Sequence, residues 1–162
     1  MTVDDARAYL RLETGQEDAL IARLVASAQA LCEAFTGQVL VRREVTEALR
    51  GGGAWQRLSA VPVAAVTAVS DADGTVLPAE RYAIDIDADG EGWVRASVAV
   101  RVTYRAGIAD DEHGVPPALA QGITRMAAHL YAHRDDLVGP PTAVAALWRP
   151  FRKLRLGMER RA

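Results

Sequence analysis

The stretch TGQEDALIARLVASAQALCEAFTG, residues 14–37, carries the clearest structural signal in the chain. Its apolar residues recur at three- and four-residue intervals for more than four turns, the spacing that lines one face of an α-helix. They are Leu20, Ile21, Leu24, Val25, Ala28, Leu31, Cys32 and Phe35. Thr14 and Glu17 have the spacing of a capping box, which predicts the start of this helix. Gly37 stands where helices commonly end, so a long amphipathic core helix is predicted before it.

Helices are also predicted on either side of this stretch. Thr2 can cap a short first helix, with acidic residues in the first turn where the helix dipole favours them. A second long helix is predicted from the proline pair at 116–117, which suits a first helical turn, to about Arg134. Its apolar stripe is Leu119, Ile123, Met126, Ala127 and Leu130.

The chain between the two long helices is rich in β signals. SVAVRVTYRAG (97–107) alternates, with Val98, Val100, Val102 and Tyr104 on one side and Arg101, Thr103 and Arg105 on the other. Further strands are predicted within 38–49, on both sides of the Asp73–Gly74 turn, within 81–86 and within 92–96. The predicted fold class is therefore α+β. N-terminal helices and a second long helix pack with a small, mostly antiparallel sheet, and an extended C-terminal tail carries a short helix.

The C-terminal part reads as a separate segment. LVGPP (137–141) resembles a linker, Thr142 can cap a short helix through Trp148, and Pro150 interrupts that helix. These features predict a core domain over 1–138 and a linker with a partner-docking segment over 139–162. Residues 149–162 hold six basic residues and one acid, whereas 71–91 hold seven acids and one arginine. Such asymmetry is typical of surfaces that meet partners.

Composition narrows the function classes. The net charge of −2 gives no chain-wide case for nucleic-acid binding. The single cysteine, Cys32, allows no intrachain disulfide and lies in an apolar pattern, so a buried core thiol is expected. The N-terminus is acidic and has no long apolar run, so we expect no signal peptide, and no membrane-spanning helix is expected either.

Three patterns that suggest chemistry each have a simpler interpretation. The acidic loop from Asp85 starts like a calcium loop, but Ala96 replaces the bidentate glutamate at position 12, so a solvated β-turn is favoured. His129 and His133 have zinc-ligand spacing without the catalytic glutamate or an obvious third ligand. Cys32 on an apolar helix face is inert as a nucleophile. The sequence therefore predicts no catalytic residue, no metal and no cofactor.

Several blocks, in order, resemble one protein family. ALCEAFTGQVL resembles a long helix that ends in aromatic-Thr-Gly before a strand, and LSAVPVAAVTAVSDADGTVL resembles that family's Leu, Pro, V-x-x-V and Asp-Gly segment. VRVTYRAG followed by VPPALAQGITRMAAHLYAHRD resembles its strand end and second helix, and ALWRPFRKLRL its closing segment. Over residues 2–157 the chain resembles the head–tail connector, or adaptor, proteins of long-tailed bacteriophages and gene transfer agents. The glycine-rich 51–53 and the IADDEHG loop depart from the pattern.

This resemblance implies a structural virion protein without catalytic activity. It implies a homo-oligomeric ring of twelve copies at the head–tail junction, in the neck of the particle, made in the bacterial host cytoplasm. The ring docks on the portal protein, extends the DNA channel without sequence-specific binding, and meets the next neck or tail-side protein. The resemblance does not separate a phage from a gene transfer agent.

In the family, the C-terminal segment docks on the portal. The resemblance therefore implies that a set of apolar and basic residues has this role here. These are Leu147, Trp148, Arg149, Phe151, Arg152, Lys153, Leu154, Arg155 and Leu156. The aromatic and leucine side chains would be anchors, and the basic ones would pair with acids on the partner. A different arrangement has the segment folded back on its own core with its arginines in solvent. A nucleic-acid-binding module that uses the basic tail and a small zinc enzyme also remain open.

Overall fold

The computed structural model describes residues 2–13, 17–133 and 139–153. Two compact units are present. The first, the helical unit, comprises the described residues of Met1–Leu40 and Asp111–Leu154. The described residues of the second, the β unit, are Val41–Asp110. This division differs from the expected boundary after residue 138, because the C-terminal segment up to Lys153 belongs to the helical unit. The α+β class is confirmed.

Four α-helices form the described part of the helical unit. They are α1 (Val3–Leu10), α2 (Asp18–Thr36), α3 (Pro117–Ala132) and α4 (Thr142–Trp148), the last followed by a 3₁₀ turn, Arg149–Phe151. Their buried side chains include Ala6, Ile21, Val25, Ala28, Cys32, Leu119, Ile123, Met126, Ala127, Val144 and Trp148. The predicted stripes of the two long helices thus supply most of this core. Arg7 of α1 also binds Asp18 of α2 through Nε and Nη2, at 3.1 and 2.7 Å.

The ends of the N-terminal helices follow capping rules with one correction. The hydroxyl of Thr2 accepts from the Asp5 backbone N–H, and the Asp5 carboxylate accepts from the Thr2 N–H, so the predicted cap is confirmed. Gly37 ends α2 in the left-handed conformation, at φ 71°. The predicted start of α2 is wrong. The helix begins at Asp18, the N-cap is Glu17 without a side-chain cap bond, and Thr14 lies outside the described residues.

The later helices begin at prolines. Pro116 is the N-cap of α3 and Pro117 its first residue. Thr142 does not cap α4 as predicted. It is the first helical residue, and Pro141 is the N-cap, with its carbonyl accepting from the Ala145 N–H at 2.9 Å. Proline at the N-cap leaves no side-chain acceptor for the first amides.

Helix α2 is long and apolar enough, by length and composition, to cross a membrane, and it alone passes that test among the described residues. It packs against α1 and α3, and five of its side chains are buried in the helical unit. This packing explains why one face of α2 is apolar: α2 is a core helix of the helical unit.

Two three-stranded antiparallel sheets form the β unit, where one sheet was expected. The strands are β1 (Arg43–Leu49), β2 (Trp55–Arg57), β3 (Val63–Ser70), β4 (Tyr82–Ile86), β5 (Gly92–Ala96) and β6 (Val100–Ala106). The long sheet has the order β1-β6-β3, and the short sheet has the order β2-β5-β4. After the Asp73–Gly74 turn the chain makes only a single bridge, Val76 to Ser70, instead of the predicted strand.

The core of the β unit confirms the alternation predicted for β6. Val100, Val102 and Tyr104 are buried, while Arg101 and Arg105 are exposed. Val98, predicted on the same side as these three residues, lies before the strand and is exposed. The Tyr104 hydroxyl accepts from the Ala60 N–H at 3.0 Å and lies 3.3 Å from a Glu47 carboxylate oxygen. Burial raises the pKa of this phenol.

Candidate partner-docking segment

The segment predicted to dock on a partner is folded onto its own domain as far as Lys153. Helix α4 and the 3₁₀ turn pack on the helical unit, where α4 contacts both α3 and α2. Val144 and Trp148, one helical turn apart, are the buried residues of α4. The segment therefore closes the helical unit, which is the folded-back arrangement that the sequence left open.

Trp148 is the centre of this packing. Its side chain is 0% exposed, and its ring centroid lies 5.8 Å from that of Phe35, with the planes tilted by 56°. Gly122 of α3 lies under the indole: a Cβ at this position would stand 2.2 Å from Nε1. The indole N–H itself finds no acceptor among the described residues. Shape and dispersion, rather than a hydrogen bond, hold this side chain.

The end of the segment is fastened to the C-terminus of α2. Gln38 Nε2 donates to the Phe151 carbonyl at 2.5 Å, and the Lys153 N–H donates to the Thr36 carbonyl at 2.9 Å. The Arg152 guanidinium lies 5.7 Å from the centroid of the Phe35 ring, within cation–π range. The bond from Lys153 satisfies a carbonyl that a helix end leaves free.

The nine predicted docking residues therefore divide into groups. Trp148 is in the core, and Leu147, Phe151 and Lys153 are half-buried. Arg149 and Arg152 are exposed. Leu154, Arg155 and Leu156 lie outside the described residues. In this conformation the indole is not available to a partner, while the two arginines are. Docking on a portal stays a prediction.

Gly122 is a residue whose role the sequence did not reveal. A glycine inside a helical pattern usually marks close packing, and this one lies in the middle of α3. That signal could have indicated close packing at this point of α3, but it does not identify Trp148 as the partner.

The lone cysteine has a structural role. Cys32 is 0% exposed, and burial, with a smaller contribution from the charge of Glu33, raises the pKa of its thiol to about 12. A thiolate is therefore scarce near neutral pH.

The histidine pair and the acidic loop have local partners. The rings of His129 and His133 lie 4.3 Å apart, and His133 Nδ1 is 3.0 Å from the His129 carbonyl. Asp87 Oδ1 accepts the backbone N–H groups of Asp89 and Glu91, each at 2.9 Å, which closes the turn. Within the described ranges, no three His, Cys, Asp or Glu residues converge as metal ligands.

Comparison with known proteins identifies a structural likeness. No protein-family model matches the chain, and no curated protein matches it. Two of the similar solved structures are the neck of an empty gene transfer agent (GTA) particle, computed with C6 symmetry, and the virion of a native GTA particle. Each has a TM-score of 0.78 and 29% sequence identity over 99% of this chain and 93% of that chain. A third is the neck of a native GTA particle computed with C12 symmetry, with a TM-score of 0.76 and 27% identity over 98% and 92%.

The chain resembles a component of a particle neck. The likeness spans both compact units, so it includes the helical unit with its C-terminal segment as well as the β unit. It supports a structural protein of a phage or gene transfer agent neck, located in the virion.

Proposed function

We propose that this protein is a head–tail connector: a ring at the neck of a phage-like particle that docks on the portal, extends the DNA channel and joins the tail. The observation that carries the proposal is the likeness over 99% of the chain, at a TM-score of 0.78, to the GTA neck structure. A shared function of the whole chain explains such coverage better than a shared fold of one unit does.

The proposed ring has twelve identical copies. The similar necks were computed with C6 and with C12 symmetry, and a ring of twelve is compatible with both. A closed ring of one chain uses head-to-tail contacts, so each copy needs two different complementary faces.

We assign portal docking to the C-terminal segment, but to its exposed groups only, because Trp148 is buried in the helical unit. Arg149 and Arg152 are exposed, and the chain continues from Lys153 into the leucines and arginine of 154–156. Because Trp148 fixes the preceding helix, Arg149 and Arg152 start from a preformed surface, which reduces the ordering cost of binding. Guanidinium groups suit acidic residues on the partner.

The proposal is tested in particles made by a strain that lacks the gene. We expect DNA-filled heads without tails, restored by the wild-type gene, and the protein at the neck in averaged images of restored particles. Tailed particles from the deletion strain, or restored particles without the protein, would refute the neck assignment.

The docking segment is tested by charge reversal. Arg149→Glu with Arg152→Glu should reduce the amount of protein bound to heads. The difference from wild type should be largest at low salt, since rim charges act mainly on association and are screened by ions. Arg23→Glu, an exposed change on α2, is the control and should bind normally. Normal binding by the reversed pair would remove the assigned role of these arginines while leaving the neck location standing.

A further inference from the structure

The outward face of the long sheet carries small side chains around two arginines. Its floor consists of Thr46, Ala48, Ala65, Ala68 and Thr103, at paired positions on β1, β6 and β3. Thr46 and Thr103 share a hydrogen bond between their hydroxyls at 3.0 Å. Apart from Glu44, the side chains paired with β6 on this face are short, so a second chain could approach the sheet beside the arginines of β6.

Two arginines stand on this floor. Arg101 and Arg105 project outward from the central strand β6, both exposed. Among the described residues neither guanidinium has an ion pair or a hydrogen bond. Glu44, opposite Arg105, is the acid at the paired positions of this face. The face therefore offers positive charge over a small-residue surface, which suits an acidic partner.

An apolar and acidic edge lies elsewhere in the same unit. Strand β4 is an edge of the short sheet. Ile84 and Ile86 are 40% and 37% exposed. They pair with Val94 and Gly92 of β5, so they lie on the same face of the short sheet as these buried residues. The β4 strand contains no proline or lysine and no register shift, and Asp85 is the one charged residue that protects this edge. It lies within the acidic stretch 71–91.

We infer that these two surfaces are the complementary faces of the ring contact: the β4 edge of one copy lies on the Arg101–Arg105 face of the next. The inference rests on the proposed function, because it takes the ring as given and names the surfaces that form it. Ile84 and Ile86 cover the alanine and threonine floor, and acids of the 71–91 stretch meet the two guanidinium groups.

Both faces belong to the β unit, so this unit alone carries the head-to-tail contact. The two surfaces are different, as a heterologous ring requires. The helical unit, with its C-terminal segment, is left for the portal and the tail-side protein.

Cross-linking of assembled particles tests the pairing directly. A chain with Ile84→Cys and Ala65→Cys, treated with a short bis-maleimide, should give a covalent ladder of multimers. Each chain with only one of the two introduced cysteines should remain monomeric, because the buried native Cys32 should not react. No ladder in particles that contain the protein, or dimers from Ile84→Cys alone, would overturn the inference.

Charge reversal supplies the second test, which distinguishes a neighbouring copy from DNA as the partner of this face. Arg101→Glu with Arg105→Glu should lower the protein-to-portal ratio in purified particles at least tenfold, without changing the melting temperature of the free protein. The matched control, Arg11→Glu with Arg23→Glu, has the same net charge and should assemble normally. Equal loss from both pairs would overturn the inference.

A full ring of the reversed variant, with DNA delivery impaired, would instead assign this face to the channel. The neck location is tested separately with the wild-type protein. If the wild type is absent from necks, the proposed function fails. If the wild type is present and the reversed variant forms a normal ring, only the inference fails.

Discussion

Replacing Trp148 by alanine is the most informative single change in the helical unit. The indole is fully buried between Phe35 and the backbone of α3 at Gly122. Truncation of a buried tryptophan to alanine typically costs about 3–5 kcal/mol of unfolding free energy. For a chain of this size, each kcal/mol lowers the melting temperature by about 2–4 °C. We therefore expect a drop of roughly 6–20 °C in the free protein.

A double-mutant cycle makes this prediction specific to the packing seen here. Gly122→Ala should destabilise the wild type, because the new Cβ would stand 2.2 Å from the indole Nε1. In the Trp148→Ala background that clash is gone. There the same change should be neutral or stabilising by up to about 1 kcal/mol, the usual gain of Gly→Ala inside a helix.

Thermal melting followed by far-UV circular dichroism is the assay, with the exposed Arg149→Ala as the control expected to melt like wild type. An unchanged melting temperature for Trp148→Ala, together with a tolerated Gly122→Ala in the wild type, would refute the reasoning. The α4 segment would then be held by a partner alone.

Three further predictions concern single groups. Tyr104→Phe removes the acceptor of the Ala60 N–H and should cost roughly 1–3 kcal/mol in denaturant unfolding, whereas Tyr82→Phe, whose hydroxyl has no partner among the described residues, should be near neutral. Cys32 should resist a colorimetric thiol reagent at pH 8 until denaturant is added, since burial raises its pKa to about 12; fast labelling of folded protein would contradict its position. The hydrogen bond from the N-cap backbone amide lowers the pKa of Asp5 below its ordinary 3.8. Its stabilising effect should therefore be complete above that value and fade as pH falls through the folded-state pKa, so the melting temperatures of wild type and Asp5→Asn should converge in acid.

Local chemistry made some elements predictable from sequence. Gly37 ends α2 because only a residue that accepts a left-handed conformation fits there. The alternation in β6 reported its buried face because side chains on a strand point to opposite sides. Thr2 had its partner three residues away, so its cap could be read without knowledge of the rest of the fold.

The position of the C-terminal segment could not be predicted from local sequence patterns, because it depends on long-range packing. An amphipathic stretch with a tryptophan suits its own core as well as a partner, and the pattern in 142–153 is the same in both cases. What decided the position of Trp148 was the space above Gly122, which is distant in sequence and adjacent only after folding. The split into two sheets was hidden for a similar reason, because strand patterns do not say which strands pair.

The two ends of the β unit lie side by side. The Arg42 N–H donates to the Ala109 carbonyl at 2.7 Å, Val41 bridges Ala109, and the Arg42 and Asp110 side chains form an ion pair. The described residues of this unit are contiguous in sequence, whereas the helical unit needs both Met1–Leu40 and Asp111–Leu154.

During synthesis we therefore expect residues 41–110 to fold as a unit before α3 is translated and completes the helical unit with α1 and α2. A newly made chain would then expose a folded β unit before α1 and α2 can pack against α3. If copies associate through the ring contact inferred for that unit, nascent chains could do so before their helices have packed, a consequence of the order of translation.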